Sequence, residues 1–212
     1  MALTREQVED TALGILTRFG LADLSMRRLA RELDVQVGAL YWHVKNKQEL
    51  LVGVAARLLR GLDAGDASVP DGTPVAGAAE SGGRESGGEE DTIRDGVRRL
   101  AHGIRSALVP VPDSAEVVQV AQSLQPDALG PVNRLRQLLA AAGVEQPDWA
   151  QHLVMNHVLG SIAAAQEGAR QAAVDPAAAA AALGEEAFSW GLEVVLDGLF
   201  PAAAGSRRLS GG

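Results

Sequence analysis

Apolar residues recur at every third or fourth position along most of this chain, the spacing of one face of an α-helix. Thr4-Arg5-Glu6-Gln7 has the form of a capping box, in which the Thr hydroxyl and the Gln side chain satisfy each other's backbone N–H groups. Val8, Ala12, Ile15, Leu16 and Phe19 then fall on one stripe, and Gly20 supplies a left-handed stop. Ser25 caps a second helix, with Leu24 and Leu29 as a hydrophobic staple and Leu29, Ala30 and Leu33 facing inward. Asp34-Val35 leaves room only for a tight turn before a third helix, predicted over Gln36 to His43. Asn46-Lys47-Gln48-Glu49 reads as a second capping box and opens a fourth helix with Leu50, Leu51, Val54 and Leu58 inside.

The periodicity stops at Asp63 and resumes near Ile93. Between them lies a Gly-, Ala- and acid-rich stretch whose large apolar residues are Val69 and Val75, too few to offset the entropy of ordering it. It reads as a flexible linker or, alternatively, a packed Ω-loop. Beyond it, Val97, Leu100, Ala101, Ile104 and Leu108 make a stripe that ends at Pro110 and Pro112. Further helices are predicted around Ala115–Leu124, from Pro131 to Gly143, from Trp149 to about Ala172, briefly after Asp175-Pro176, and from Glu185 to Phe200. The expected layout is a head over 1–62, a linker over 63–92, a helical body over 93–201 and a frayed tail over 202–212.

Composition narrows the class. Phe, Trp and Tyr make up 3% of the 212 residues and strand signals are sparse, so the fold class is all-α. There is no cysteine, which excludes disulfide scaffolds and thiolate metal sites. No apolar run is long enough for a transmembrane helix and no signal peptide is recognisable, so no membrane partner and a cytoplasmic location are expected. The net charge of -8 is unevenly spread. Residues 1–60 hold nine Lys/Arg against seven Asp/Glu, while the remainder is strongly acidic. A mildly basic head on an acidic body suits a protein that offers one end to a polyanion.

Helices two and three, separated by a few residues, form a helix-turn-helix, whose second helix presents its first residues to base edges in a major groove. Tyr41 and His43 carry donors at phosphate height, and Lys47 stands at a helix N-terminus that already favours an anion. The same pattern would also suit a plain three-helix bundle.

The run from Val8 to Leu51 resembles the DNA-binding head of the tetracycline repressor (TetR) family, with Leu40-Tyr41-Trp42-His43-Val44-Lys45-Asn46-Lys47 nearly verbatim. Trp190-Gly191-Leu192-Glu193 and Leu196-Asp197-Gly198-Leu199 resemble the last helix of the tetracycline-repressor-type C-terminal domain. The resemblance implies that Arg27 reaches a base, that Tyr41, His43 and Lys47 bind phosphates, and that Trp42 packs near the backbone. The sequence departs from the tetracycline repressors at Val37, Gly38 and Ala39, so a different operator is expected. Gln36 can pair bidentately with adenine, and Val37 or Ala39 can touch a thymine methyl.

By the same resemblance the body is a ligand-binding and dimerisation domain. Leu100, His102, Ile104, Leu108, Val117, Gln122, Leu124, Leu135, Leu139, Leu153 and Asn156 are expected around a small-molecule pocket. His157, Gly160 and Ala164, with the stripe Phe188, Leu192, Val195 and Leu199, are expected at a homodimer interface or, alternatively, in the protomer core. The metal-binding histidine of the tetracycline repressors aligns with Val118, which cannot ligate magnesium, so a metal-independent, mostly apolar effector is expected, with no cofactor. His102, His152 and His157 lack any metal-ligand spacing, and no catalytic signature is present. The expectation is a homodimeric, ligand-responsive repressor on a palindromic double-stranded DNA operator, not an enzyme. The alternatives are an activator or a ligand-independent DNA-binding protein of the same fold.

Overall fold

The computed structural model describes residues 3–62, 86–174 and 184–200. Those residues are helical or in turns, with no strand among them. Helix α1 (Arg5–Phe19) opens on the complete Thr4–Gln7 capping box and stops at Gly20, whose φ of 78° few other residues adopt. Helix α2 (Met26–Glu32) is capped by the Ser25 hydroxyl, which accepts from the Arg28 N–H. A turn through Asp34 (φ 53°) leads to α3 (Val37–Leu40). This single helical turn is shorter than the predicted span, because Tyr41 closes it and residues 41–43 continue as turn. Helix α4 (Lys47–Leu58) completes the head. Val8, Leu16, Leu24, Leu29, Leu40 and Leu50 are wholly buried where these helices cross. Each such side chain contributes on the order of 1.5–3 kcal/mol through burial.

The body begins earlier than the pattern suggested. Helix α5 (Ser86–Leu108) starts inside the stretch expected to be linker. Residues 86–92 have almost no apolar periodicity, so the pattern held no sign that the helix extends over them. The rest of that linker, the tail over 202–212 and nearly all of the short helix expected after Asp175 lie outside the described residues. Helix α6 (Ser114–Leu124) runs along α4 and joins body to head. A 3₁₀ turn (Pro126–Ala128), α7 (Gly130–Ala141), α8 (Pro147–Val174) and α9 (Glu185–Leu199) follow. Helix α5 packs against α7, α8 and α9, and one apolar cluster runs continuously from Val8 to Phe200.

Ion pairs fasten α9 to α5. Arg98 donates to Glu193 at 2.5 and 2.9 Å, and Arg94 reaches both Glu193 (3.1 Å) and Asp197 (2.5 Å). Hydrogen bonding from Arg98, opposed by burial and aided by Arg94, takes the Glu193 carboxyl from 4.5 to about 2. A depressed carboxyl stabilises the fold above its ordinary value, and that contribution is lost as pH falls toward the folded one. Glu193 is about two-fifths exposed, so solvent screens the effect. Glu193→Gln is therefore expected to lower the melting temperature at neutral pH by at most about 2–4 °C. The deficit should shrink steadily between about pH 5 and pH 3. A deficit that stays constant across that range would assign it to packing instead.

Candidate nucleic-acid interface

Leu40 and Val44 are fully buried and anchor the end of α3, and that anchoring turns the residues between them outward. Trp42 is 89% exposed and Tyr41 51%. Gln36, the N-cap of α3, is exposed and its side chain makes no capping bond, so its amide remains available to a partner. Gly38 is also exposed, and a Cβ built there meets nothing within 4 Å. Ala39 and Val37 are half-buried, and Val37 packs against the head core, which limits how far it can reach toward a base. Arg27 is exposed on α2, whereas its neighbour Arg28 is held by Asp23 and lies 3.9 Å over the Phe19 ring.

Lys47 is the first residue of α4, and His43 lies half-buried just before it. That helix end is tightly organised. Asn46 accepts from the Glu49 N–H at 2.8 Å, while the Glu49 carboxylate turns back to the Lys45 N–H at 2.8 Å. The predicted capping box is thus displaced by one residue, to Lys45. Arg5 of α1 also donates to Glu49, at 2.9 Å. The Lys45 N–H first, then Arg5, hold the Glu49 carboxyl below its ordinary value. A carboxylate ionised at every physiological pH therefore ties α1 to the N-terminal end of α4. The sequence carried no signal for that pair, since 44 residues separate Arg5 from Glu49.

In the body, Leu100, Ile104, Leu108, Val117, Leu135 and Leu139 are buried together, with His102 and Gln122 half-buried. Leu153, Asn156 and Leu124 do not join them. All three are exposed, because α8 buries the face carrying Val154, Met155, Val158 and Ile162, and Leu124 ends its helix. The assignment of Phe188 and Leu192 to an intersubunit stripe also needs correction. Both are buried inside the protomer and are continued by Leu196, while Val195 and Leu199 are half-buried against the same core. The faces left outward are Trp190 (71% exposed) and Val194 (52%) on α9, and Trp149 and Leu153 on α8. Gly160 is exposed on α8, and His157 and Ala164 are half-buried.

The three body histidines have structural partners. His157 stacks on the Phe188 ring and its Nε2–H donates to the Phe188 carbonyl at 2.9 Å, while Gly191 leaves room for the imidazole. His102 meets Phe188 edge-on and bonds Glu185, and His152 donates to the Asp148 carbonyl. Among the described residues no group of His, Asp and Glu is placed to hold a metal.

A helix-turn-helix bearing an exposed Tyr-Trp pair, joined to a helical body, can be set against known proteins. The family model for bacterial regulatory proteins of the tetR family matches residues 10–54. The model for the tetracyclin repressor-like C-terminal domain matches residues 87–183. The crystal structure of Mycobacterium smegmatis BioQ is 34% identical, covers 93% of this chain and 97% of its own, and superposes with a TM-score of 0.70.

The chain belongs to the TetR family.

A structure of BioQ with its double-stranded DNA operator matches this TetR-family protein at 32% identity and a TM-score of 0.67, covering 94% of it and 99% of that chain. A TetR variant from Acinetobacter baumannii in complex with minocycline matches at 26% identity, also with a TM-score of 0.67, over 92% of both chains. The class D tetracycline repressor of Escherichia coli is 46% identical over 57 residues, and that match spans about a quarter of either chain (27% and 26%). These relatives are regulators, so the family membership places this protein among transcriptional regulators and not among enzymes. Among the described residues no helix is long and apolar enough to cross a membrane.

Proposed function

We propose that this protein is a cytoplasmic, homodimeric repressor that sets α3 of each subunit into successive major grooves of a palindromic operator and is released by a small molecule bound in its body. The observation that carries the reading is the outward edge of the head. Gln36 and Gly38 face outward at the start of α3, and the exposed Tyr41-Trp42 pair and Lys47 flank them. Gln36 and Arg27 read bases, whereas Tyr41, His43 and Lys47 hold phosphates and fix the register. BioQ has been seen with its operator and the A. baumannii repressor with minocycline, which supports both halves of the proposal. The effector is apolar for the most part, since the residues buried in the body's interior, Leu100, Ile104, Val117, Leu135 and Leu139 among them, are aliphatic. It needs no magnesium, because Val118 offers no ligating atom. The dimer face is the outward side of α8 and α9, with Trp190, Val194, Leu153, Asn156 and Gly160.

Selection of preferred duplexes from a random pool tests the proposal. Lys47→Ala should weaken specific and random DNA alike and flatten the log–log salt dependence by roughly 0.9 for each phosphate no longer neutralised. Gln36→Ala should instead change which duplex is selected. An unaltered profile for Gln36→Ala together with an unaltered slope for Lys47→Ala would remove α3 from the DNA.

A further inference from the structure

The turn between α5 and α6 lies where the head meets the body, and its last residue behaves unusually. Asp113 is the N-cap of α6, the position where a carboxylate ordinarily accepts from its own helix. It makes no such bond. Its backbone is left-handed (φ 58°, ψ 14°), a conformation that costs a residue with a Cβ about 1 kcal/mol or more. The carboxylate instead crosses to the head, where it accepts from the Leu21 N–H at 2.8 Å, 92 residues away in the chain. Its other oxygen lies 3.6 Å from the Arg170 guanidinium on α8.

The head is shaped to receive it. Gly20, immediately before the donor, has φ 78°, and a Cβ there would sit 2.8 Å from Asp113 Oδ2. A side chain at position 20 would therefore push the carboxylate off its donor. The turn is fixed from the body side as well. Gln166 of α8 donates to the Val111 carbonyl at 2.7 Å and to Ser114 Oγ at 3.2 Å, and Ser114 Oγ donates to the Leu108 carbonyl at 2.7 Å. A cleft of about 610 Å³ opens beside the link, between Phe19 of the head and Pro112 and Ala169 of the body. The head otherwise meets the body through α4 packed along α6, so the Asp113 bond is a separate polar tie on the side of this cleft.

We infer that Asp113 is a positioning residue for DNA binding: its bond to the Leu21 N–H sets the angle of head on body, and Gln166 makes that angle follow α8. The inference rests on the operator-binding reading above. Two heads rigidly held at the right angle meet both half-sites together, and heads that rock do so only part of the time. Random duplex, bound through phosphates in any register, is far less sensitive to that angle.

The chain has no cysteine, so Arg31→Cys, exposed on α2, supplies one spin-label site per subunit of the full-length dimer. Asp113→Gly deletes the carboxylate and relieves the left-handed backbone at once. Asp113→Asn keeps an acceptor oxygen and tolerates that backbone. The glycine variant should keep its dimer and its fold yet show a broadened head-to-head distance distribution. Its affinity for the duplex selected by the parent protein should fall at least tenfold, with less than a twofold change on random duplex. The asparagine variant should stay close to the parent in both. An unbroadened distribution for Asp113→Gly overturns the inference, as does a loss that is equal on both DNAs and accompanied by unfolding. If the parent selects no duplex at all, the operator reading fails, while the distance measurement still decides the link.

Discussion

Val194→Asp is expected to convert the protein to monomers and to lower selective operator binding by at least about a thousandfold, the usual gap between specific and non-specific affinity. Val194 is 52% exposed on α9 one turn beyond Trp190, itself 71% exposed, so each chain on its own leaves this apolar surface in water. Pairing two copies would bury both residues, and a carboxylate placed there would then be buried without a partner. Val195→Asp is a different experiment, because Val195 is half-buried against the protomer's own core and its loss would report folding. Sedimentation velocity separates the two. A Val194→Asp chain that still sediments as a dimer would move the interface off this face.

Gly53→Ala should cost the head about 2–4 kcal/mol, seen as a melting temperature lower by roughly 5–15 °C. A helical Gly→Ala change ordinarily gains up to about 1 kcal/mol, so the sign of the result is informative. Here α4 crosses α1 so closely that a Cβ at 53 would lie 2.6 Å from the Glu9 side-chain carboxyl carbon. Glu9 cannot simply swing away. It is buried, bonded to Arg5 Nε at 2.8 Å, and lies 3.6 Å from an Arg57 guanidinium nitrogen that is itself buried without a hydrogen bond. Displacing the carboxylate would break its bond to Arg5 and leave that one nitrogen without a nearby acceptor, although Asp10 still pairs with the rest of the Arg57 guanidinium. An unchanged melting temperature would show that the α1–α4 crossing can widen at little cost.

The head was legible because its signals are local. Thr4 with Gln7, and Ser25 with Arg28, need only three residues of separation, and the Leu40–Lys47 run carries its resemblance by itself. The body was less so, for reasons visible in particular residues. An apolar stripe says that a face is covered but not by what. Phe188, Leu192 and Leu196 cover α5 and α8 of the same chain, while the intersubunit candidates Trp190 and Val194 looked like interruptions of that stripe. Helix α8 has apolar residues on more than one side, so spacing alone did not exclude Leu153 from the core. The start of α5 carries no periodicity to find. The bonds of Arg5 with Glu49 and of the Asp113 carboxylate with the Leu21 N–H join residues 44 and 92 apart, and a linear pattern holds no trace of them.

The open space around Gly38 has a bearing on descent as well as on binding. A Cβ added there would meet nothing within 4 Å, so the head has room for a side chain at this exposed position near the start of α3. On the proposed docking of α3, stability and target choice are thereby uncoupled at one site. After a gene duplication, a copy of this regulator could drift to a new promoter through position 38 while keeping its fold, its pairing and its response to a signal. New circuits can then arise without an intermediate that fails to fold.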